Sequence, residues 1–384
     1  MEKYKYKMGK RKLCVSLLAA CALMACTSTQ ENDGSISVVK DADNHEITVC
    51  DVSKVKDTLT IPLSEWVESC KLVRFENSDT ALFKFWWPII TDNYIGIRPR
   101  KGNFKLFNHD GKFLCDVGRV GNGPGEYAGT LNSEAIDENN KVIYLANFFN
   151  SSKILKYNMD GTFAGEIEIG EPLNKPKLTL HEDGSLSLIH LYFKQMNSIL
   201  GAHISKDGTV STFKPSESST VFSEGEWMSF DHETWCYNNV PGMKMMFTYC
   251  DTLFSYNREK NQLEPEFALK GIPVEEQTYY IFNPLPHKYL TEIISKGTLI
   301  TDMEKQKSYY VHLVNDFFGG LPLPGPYFTN GWFFAMYEPV QLMEKIERRL
   351  SESSCTEKDK EVLNKLLDSL DEDDNNVMFI GKLK

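Results

Sequence analysis

The densest group of titratable side chains in the sequence is Asp231-His232-Glu233-Thr234-Trp235, where an imidazole flanked by carboxylates could move a proton or hold a cation. His181, His190 and His203 sit in short alternating runs upstream, so neighbouring strands could carry them to the same place. No His-Glu-x-x-His, Gly-x-Ser-x-Gly or Ser-x-x-Lys pattern accompanies them, and no catalytic residue, metal site or cofactor is assigned. His232 and Trp235 are read as candidate ligand contacts. Trp86, Trp87, Trp227, Trp332 and the pairs Tyr279-Tyr280 and Tyr309-Tyr310 add aromatic surface suited to sugar faces, to protein partners or to core packing.

A second candidate is the glycine-rich stretch 118–127, which holds Gly118, Gly121, Gly123, Pro124 and Gly125. Glycine permits positive φ and close backbone approach, and proline fixes a turn. Glu126 follows where a phosphate cradle would need Lys and Ser or Thr, and its charge repels phosphate. The stretch is therefore expected to be a tight loop crossing near a central channel, with Arg119, Glu126 and Tyr127 as candidate ligand contacts.

These residues need a scaffold, and the clearest part of it is 139–170. Three runs (142–145, 154–157 and 163–169) are separated by a polar turn at 147–153 and by Asp160-Gly161. Asp-Gly between alternating runs is a strong hairpin signal, so the segment reads as a β-meander. One sheet of this size cannot bury its own faces and needs similar neighbours. Asp110-Gly111, Asp183-Gly184 and Asp207-Gly208 mark further turns of the same kind. Aligning 93–97 with 141–145 also brings 104–107 near 154–157, an offset of about 50 residues, the size of a four-stranded propeller blade. The fold expected is an all-β propeller of six blades, with seven as the alternative count, over residues 47–384. A two-sheet sandwich is the competing fold, but sandwiches do not usually repeat a whole meander at a fixed offset.

Later blades are less regular. Residues 248–256 and 267–269 read as a hairpin, and 308–314 and 332–336 as strands of one further blade joined by a Gly/Pro-rich loop at 315–330. One helical region lies within 338–374: Leu342, Ile346 and Leu350 form one stripe, Val362, Leu363, Leu366, Leu367 and Leu370 another, with a break near 351–356. This reads as a helical hairpin inserted before a closing strand at 377–383. Residues 47–49 or 70–75 could pair with that strand and abolish the open edge of the ring.

The N-terminus gives a cellular address. Residues 1–25 carry six basic residues and then an apolar run from 13 to 23, shorter than the roughly 20 residues that span a bilayer, which reads as a secretion signal. Leu23-Met24-Ala25-Cys26 resembles the lipobox of bacterial lipoproteins. That resemblance implies cleavage before Cys26 and acylation of Cys26, with 26–46 as a flexible tether and the membrane lipid as a partner. The full chain has formal charge −11, and loss of residues 1–25 leaves −16, which argues against nucleic acid as a partner. Six cysteines remain beyond Cys26, with no metal-like spacing and no Cys-x-x-Cys.

Asp110-Gly111-Lys112-Phe113, Val117-Gly118 and Gly121-Asn122-Gly123-Pro124-Gly125-Glu126-Tyr127 together resemble the G-x-G-P-G-E-[YF] signature of six-bladed β-propeller lipoproteins of Gram-negative gut anaerobes, relatives of the NHL-repeat propellers. Asp251-Thr252-Leu253-Phe254 resembles the Asp-Thr-[Ile/Leu]-Tyr strand of that family, and the resemblance spans roughly residues 61–384. Where those blades commonly carry Asp after the first strand, this chain has Arg98 and Asn147. The resemblance implies a propeller and an outer-membrane address, with either a periplasmic or a surface-exposed face, but no reaction. The function expected is a binding module for a glycan, peptide or membrane-protein partner through the channel face. The competing expectation is a hydrolase or lyase with groups drawn from several blades, which requires three or more of His190, His203, Asp231, His232 and Glu233 to converge at one channel mouth.

Overall fold

Side chains on a strand alternate between its two faces, so a strand buried on both faces reads as a nearly continuous apolar run. Val377–Lys382 is such a run: Phe379 faces one neighbour, and Met378 and Ile380 face the other. In the computed structural model, which describes residues 33–41, 43–193, 197–215, 232–248, 250–273, 279–294, 296–323 and 327–384, this logic is repeated around a ring. Six four-stranded antiparallel meanders form the blades of a propeller.

The first blade runs through Phe85–Ile90, Tyr94–Pro99, Phe104–Asn108 and Phe113–Val117, from the axis outward. The second holds Leu131–Asp137, Val142–Asn147, Phe149–Asn158 and Phe163–Asn174. The third holds Lys177–Leu180, Leu186–Ile189, Gly201–Ile204 and Val210–Phe213. The fourth begins with the two-residue strand Thr234–Trp235 and continues through Lys244–Phe247, Thr252–Asn257 and Gln262–Lys270. Tyr280–Leu285, Lys288–Ile293, Gly297–Asp302 and Lys307–Asn315 form the fifth. The sixth takes Tyr327–Thr329, Trp332–Tyr337 and Val377–Lys382 from the C-terminal end and Lys71–Arg74 from the N-terminal end.

That last pairing closes the ring, with Val377 opposite Arg74, Met378 opposite Val73 and Phe379 opposite Leu72. The partner is the one expected at 70–75. Residues 47–49 have a different role: Glu46–Asp51 adds parallel to the outer strand of the fourth blade, Thr48 opposite Phe267 and Cys50 opposite Leu269. Ile36–Lys40 pairs outside it, and Thr58–Pro62 adds parallel to the outer strand of the fifth blade. Regular structure therefore begins inside the stretch expected to be tether, and the N-terminal segment forms a belt over three consecutive blades.

The hydrophobic core is divided among the blade interfaces. Phe104, Leu106, Ile143, Leu155 and Tyr157 fill the space between the first and second blades, and Ile154, one residue away from Leu155, packs with Leu178 and Leu188 between the second and third. The sixth and first blades share Val73, Ile95, Phe107, Phe334 and Met378. All six cysteines among the described residues are free thiols, with Cys50, Cys250 and Cys355 buried.

Three expectations need correction. The polar turn placed at 147–153 is much shorter, because the third strand of the second blade already starts at Phe149. Residues 308–314 and 332–336 belong to adjacent blades, since Leu321–Pro322 folds back on Lys307–Asn315 and Tyr327–Thr329 opens the sixth blade. Asp183-Gly184 connects a first strand to a second, whereas the other three Asp-Gly pairs connect third strands to fourth.

The helical hairpin is as expected: α1 (Pro339–Ser351) and α2 (Glu357–Leu367) lie between the second and third strands of the sixth blade. Pro339 begins the first helix, and Thr356 and Asp359 cap the second reciprocally. Leu342, Ile346, Leu363 and Leu366 pack into the core shared by the fifth and sixth blades.

Phe379 is fully buried, so Phe379→Ala should lower the unfolding free energy by about 3–5 kcal/mol in denaturant titration, while Val38→Ala at an exposed edge should stay within about 0.5 kcal/mol. Gly161 and Gly208 both have positive φ, but an added Cβ at Gly161 would lie 2.0 Å from the Asp116 carbonyl oxygen and one at Gly208 meets nothing within 4 Å. Thermal melts should accordingly show Gly161→Ala costing at least about 1 kcal/mol more than Gly208→Ala.

Candidate functional site

The Gly-rich loop that joins the first blade to the second is held by its own side chains. The Glu126 carboxylate accepts the Gly123 amide at 2.8 Å and pairs with Arg119, and these contacts lower its pKa, the amide foremost. Tyr127 is fully buried; its hydroxyl accepts the Phe104 amide at 2.7 Å and donates to the Val117 carbonyl at 3.2 Å. Tyr157 donates to the Gly125 carbonyl at 3.0 Å, and a Cβ at Gly118 would strike the Tyr157 ring. Glu126 thus spends its carboxylate on the loop itself and Tyr127 its hydroxyl on the first blade, and of the three only Arg119 projects into solvent. The glycines serve close packing between blades.

Another set of groups gathers at the axis. Each inner strand is entered from the outer strand of the preceding blade, so all six start at the same channel mouth. In the fourth blade the inner strand stops after Trp235, and the following residues cross the axis. Tyr237 reaches Trp87 of the first blade, with ring centroids 5.9 Å apart. The Asn238 side chain donates to the Leu178 carbonyl at 3.1 Å and accepts from Thr179 Oγ1 at 2.7 Å. Asn239 donates to Asn283 Oδ1 at 2.6 Å and to the Phe328 carbonyl at 3.0 Å, and accepts the Gly331 amide at 2.9 Å. Residues 236–239 therefore form a plug across the axis, bonded to the third, fifth and sixth blades.

Charged side chains gather at the end of the axis where the inner strands start. Arg98, at the end of the second strand of the first blade, is 4% exposed and faces Glu134 of the second blade, 8% exposed, at 3.4 Å. That distance is long for a charge-assisted hydrogen bond. Arg98 Nε and Glu134 Oε2 are left without a hydrogen-bond partner, as is Asn147 Oδ1 at the end of the second strand of the second blade. Lys177 opens the third blade and donates to the Asn132 carbonyl at 3.2 Å, with its ammonium 5.9 Å from the Trp235 ring centroid. Burial, reinforced by the charge of Arg98, brings the Lys177 pKa down to about 8, against the opposing pull of Glu134 and Glu233. Lys175, in a positive-φ conformation, donates to the His232 carbonyl at 2.9 Å and pairs with Glu233. Trp235 and Tyr237 lie parallel within 8°, 6.3 Å apart, and Tyr327 of the sixth blade lies 6.4 Å from Trp87. Buried polar groups with unmet hydrogen bonds are costly, and each calls for an explanation such as a bound ligand, ion or water.

Of the candidate residues, Trp235 lies in this group and the main chain of His232 lies beside it, whereas Arg119, Glu126 and Tyr127 belong to the loop. Cys26 and Asp231 lie outside the described residues. The remaining histidines go elsewhere. His190 is buried, meets the Asn174 amide and the Ile199 carbonyl, and burial lowers its pKa to about 4. His203 bonds Ser187 Oγ at 3.2 Å, and the same hydroxyl meets His181 at 2.7 Å. The described members of the set expected to converge for hydrolase or lyase chemistry are thus committed to different partners. Asp41, Asp43 and His45 bring ligand-type atoms within 4.8 Å of one another on the edge hairpin, but Asp41 accepts the amides of Asp43 and His45 at 2.9 and 2.8 Å, which accounts for the turn.

Sequence reasoning singled out Arg98 and Asn147 as departures from a family pattern without assigning them to the site. Trp87 was noted only as one of several aromatics, and Glu134, Lys177 and Tyr237 carried no signal of their own, because they come from different blades and no spacing relates them.

No curated protein matches the chain. Among solved structures, a protein of Bacteroides fragilis NCTC 9343 provisionally described as exported superposes with TM-score 0.62 at 16% identity, covering 88% of this chain and 99% of that one. A structural-genomics protein of unknown function from Bacteroides thetaiotaomicron VPI-5482 has TM-score 0.43 at 13% identity, over 69% and 72% of the two chains. A family model described as Domain of unknown function (DUF4934) matches residues 47–382, from the belt to the closing strand, and the chain belongs to that family.

Proposed function

We propose that this protein is a binding module of the bacterial envelope. After loss of residues 1–25 it is anchored to the outer membrane by lipid on Cys26, and it takes a glycan, a peptide or a segment of a membrane protein into the mouth of its channel. The observation that carries the binding role is the convergence at one mouth of Arg98, Glu134, Asn147, Lys177 and Trp235, with three buried polar atoms making no hydrogen bond. A propeller held together by its blade interfaces has no structural need for these charges, and leaving them unsatisfied opposes folding. The plug at 236–239 supports a site that captures the end of a ligand rather than passing it through. The lipobox resemblance at 23–26 supports the anchor, and the provisional description of the Bacteroides fragilis relative as exported agrees with that address.

Two measurements follow. Cys26→Ser should abolish palmitate incorporation and move the protein from the membrane pellet to the soluble fraction; retention in the pellet with undiminished labelling would remove the anchor. In array screening of the full chain against glycans and peptides, Trp235→Ala and Trp87→Ala should weaken every specific hit by at least about tenfold, while Trp86→Ala, a half-exposed neighbour outside the pocket, should leave them unchanged. Hits indifferent to Trp235 and Trp87 would place binding away from the channel.

A further inference from the structure

The groups at the mouth narrow the chemistry of the ligand, an inference that rests on the channel reading above. Charge is the first constraint. Arg98, Lys175 and Lys177 stand against Glu134 and Glu233, and Glu233 is already paired with Lys175. Glu292, the next carboxylate near the axis, acts on Tyr237 and Tyr327 and is not among the charges acting on Arg98 or Lys177. Among the described residues, Arg98 and Lys177 against Glu134 leave one positive charge in surplus, in a place where desolvation makes uncompensated charge expensive.

Hydrogen bonding is the second constraint. Arg98 Nε is a buried donor without an acceptor, Asn147 Oδ1 is a buried acceptor without a donor, and Glu134 Oε2 has only the 3.4 Å ion pair with Arg98 Nη1 and no hydrogen bond. Asn147 sits opposite Leu131, whose carbonyl Arg98 Nη1 approaches at 3.4 Å, so these atoms share one corner of the mouth. A fitting ligand must accept from a guanidinium and donate to a carboxylate and an amide. A carboxylate accompanied by hydroxyls does both; a phosphate monoester would bring a second negative charge against Glu134. Shape is the third constraint, because half-buried Trp235, backed by the parallel ring of buried Tyr237, is the aromatic surface a flat ring could meet.

We propose that the channel mouth binds a sugar acid, a pyranose bearing a single carboxylate, with the carboxylate on Arg98 and Lys177, ring hydroxyls donating to Glu134 and Asn147, and the ring against Trp235. The Lys177 ammonium adds a pH readout. It is flanked by Arg98, Glu134, Glu233 and Cys236, and with its pKa near 8 it loses its proton as pH rises, so affinity for the anion should fall from pH 7 to pH 9.

The test is calorimetric titration of the full chain with D-glucuronate and with D-glucose, which share a ring and differ in the carboxylate. Glucuronate should bind at least about tenfold more tightly, and Arg98→Gln and Lys177→Gln should each weaken it by about tenfold or more. The pH dependence should vanish in Lys177→Gln. Melting curves establish that the variants are folded; if Arg98→Gln fails to fold, the half-buried Lys177 carries the test. Equal affinity for the two sugars, or glucuronate binding indifferent to Lys177→Gln, overturns the sugar-acid assignment. So does a neutral oligosaccharide or peptide that binds in a Trp235-dependent manner while glucuronate does not, an outcome that leaves the channel reading standing. If no sugar or peptide probe responds to Trp235→Ala, the channel reading itself falls.

Discussion

Everything in this structure depends on each small sheet having a neighbour on both sides. A four-stranded meander has two faces and can bury neither alone, so six of them must share their cores around a ring, and the ring must close. Closure rests on a few residues at opposite ends of the chain, Lys71–Arg74 against Val377–Lys382. Because consecutive side chains of Val377–Lys382 enter two different cores, that one strand couples the fifth, sixth and first blades. The N-terminal belt extends the principle outward. Parallel addition of Glu46–Asp51 and Thr58–Pro62 covers the outer edges of the fourth and fifth blades, where exposed strand edges would otherwise invite pairing with other chains.

The axis obeys a different rule. Inner strands, the ends of two second strands and the crossing segment 236–239 meet there, and apolar packing is interrupted by charge. The chain fills the far end with 236–239, whose asparagine amides satisfy main-chain groups of the third and sixth blades and the Asn283 side chain of the fifth. At the near end it leaves Arg98 and Glu134 buried but imperfectly paired. Satisfaction at one end and deficit at the other make the axis directional.

The Gly-rich loop shows how a conspicuous motif can be architectural. Its glycines sit where the Tyr157 and Phe163 rings and the Glu126 carboxylate leave no room for a Cβ, and Tyr127 ties the loop to the outer part of the first blade. A signature of this kind identifies the fold well because it records a packing constraint, and for the same reason it says little about ligands.

The sequence alone determined what depends on near neighbours along the chain: the meanders, from alternation and Asp-Gly turns; the repeat length; the helical hairpin, from its two apolar stripes; and the closing strand, though not which of 47–49 and 70–75 pairs with it. It also marked Trp235 within a dense titratable stretch. The tertiary structure alone decided which strand ends share an axis. Arg98, Glu134, Lys177 and Trp235 are separated by tens of residues and belong to four different blades, so their proximity follows from ring geometry and not from spacing. The departure of 236–239 from regular strand, the dispersal of His190 and His203, and the outward path of 36–62 were equally hidden. Each is set by contacts between distant blades, which local hydrophobic periodicity does not encode.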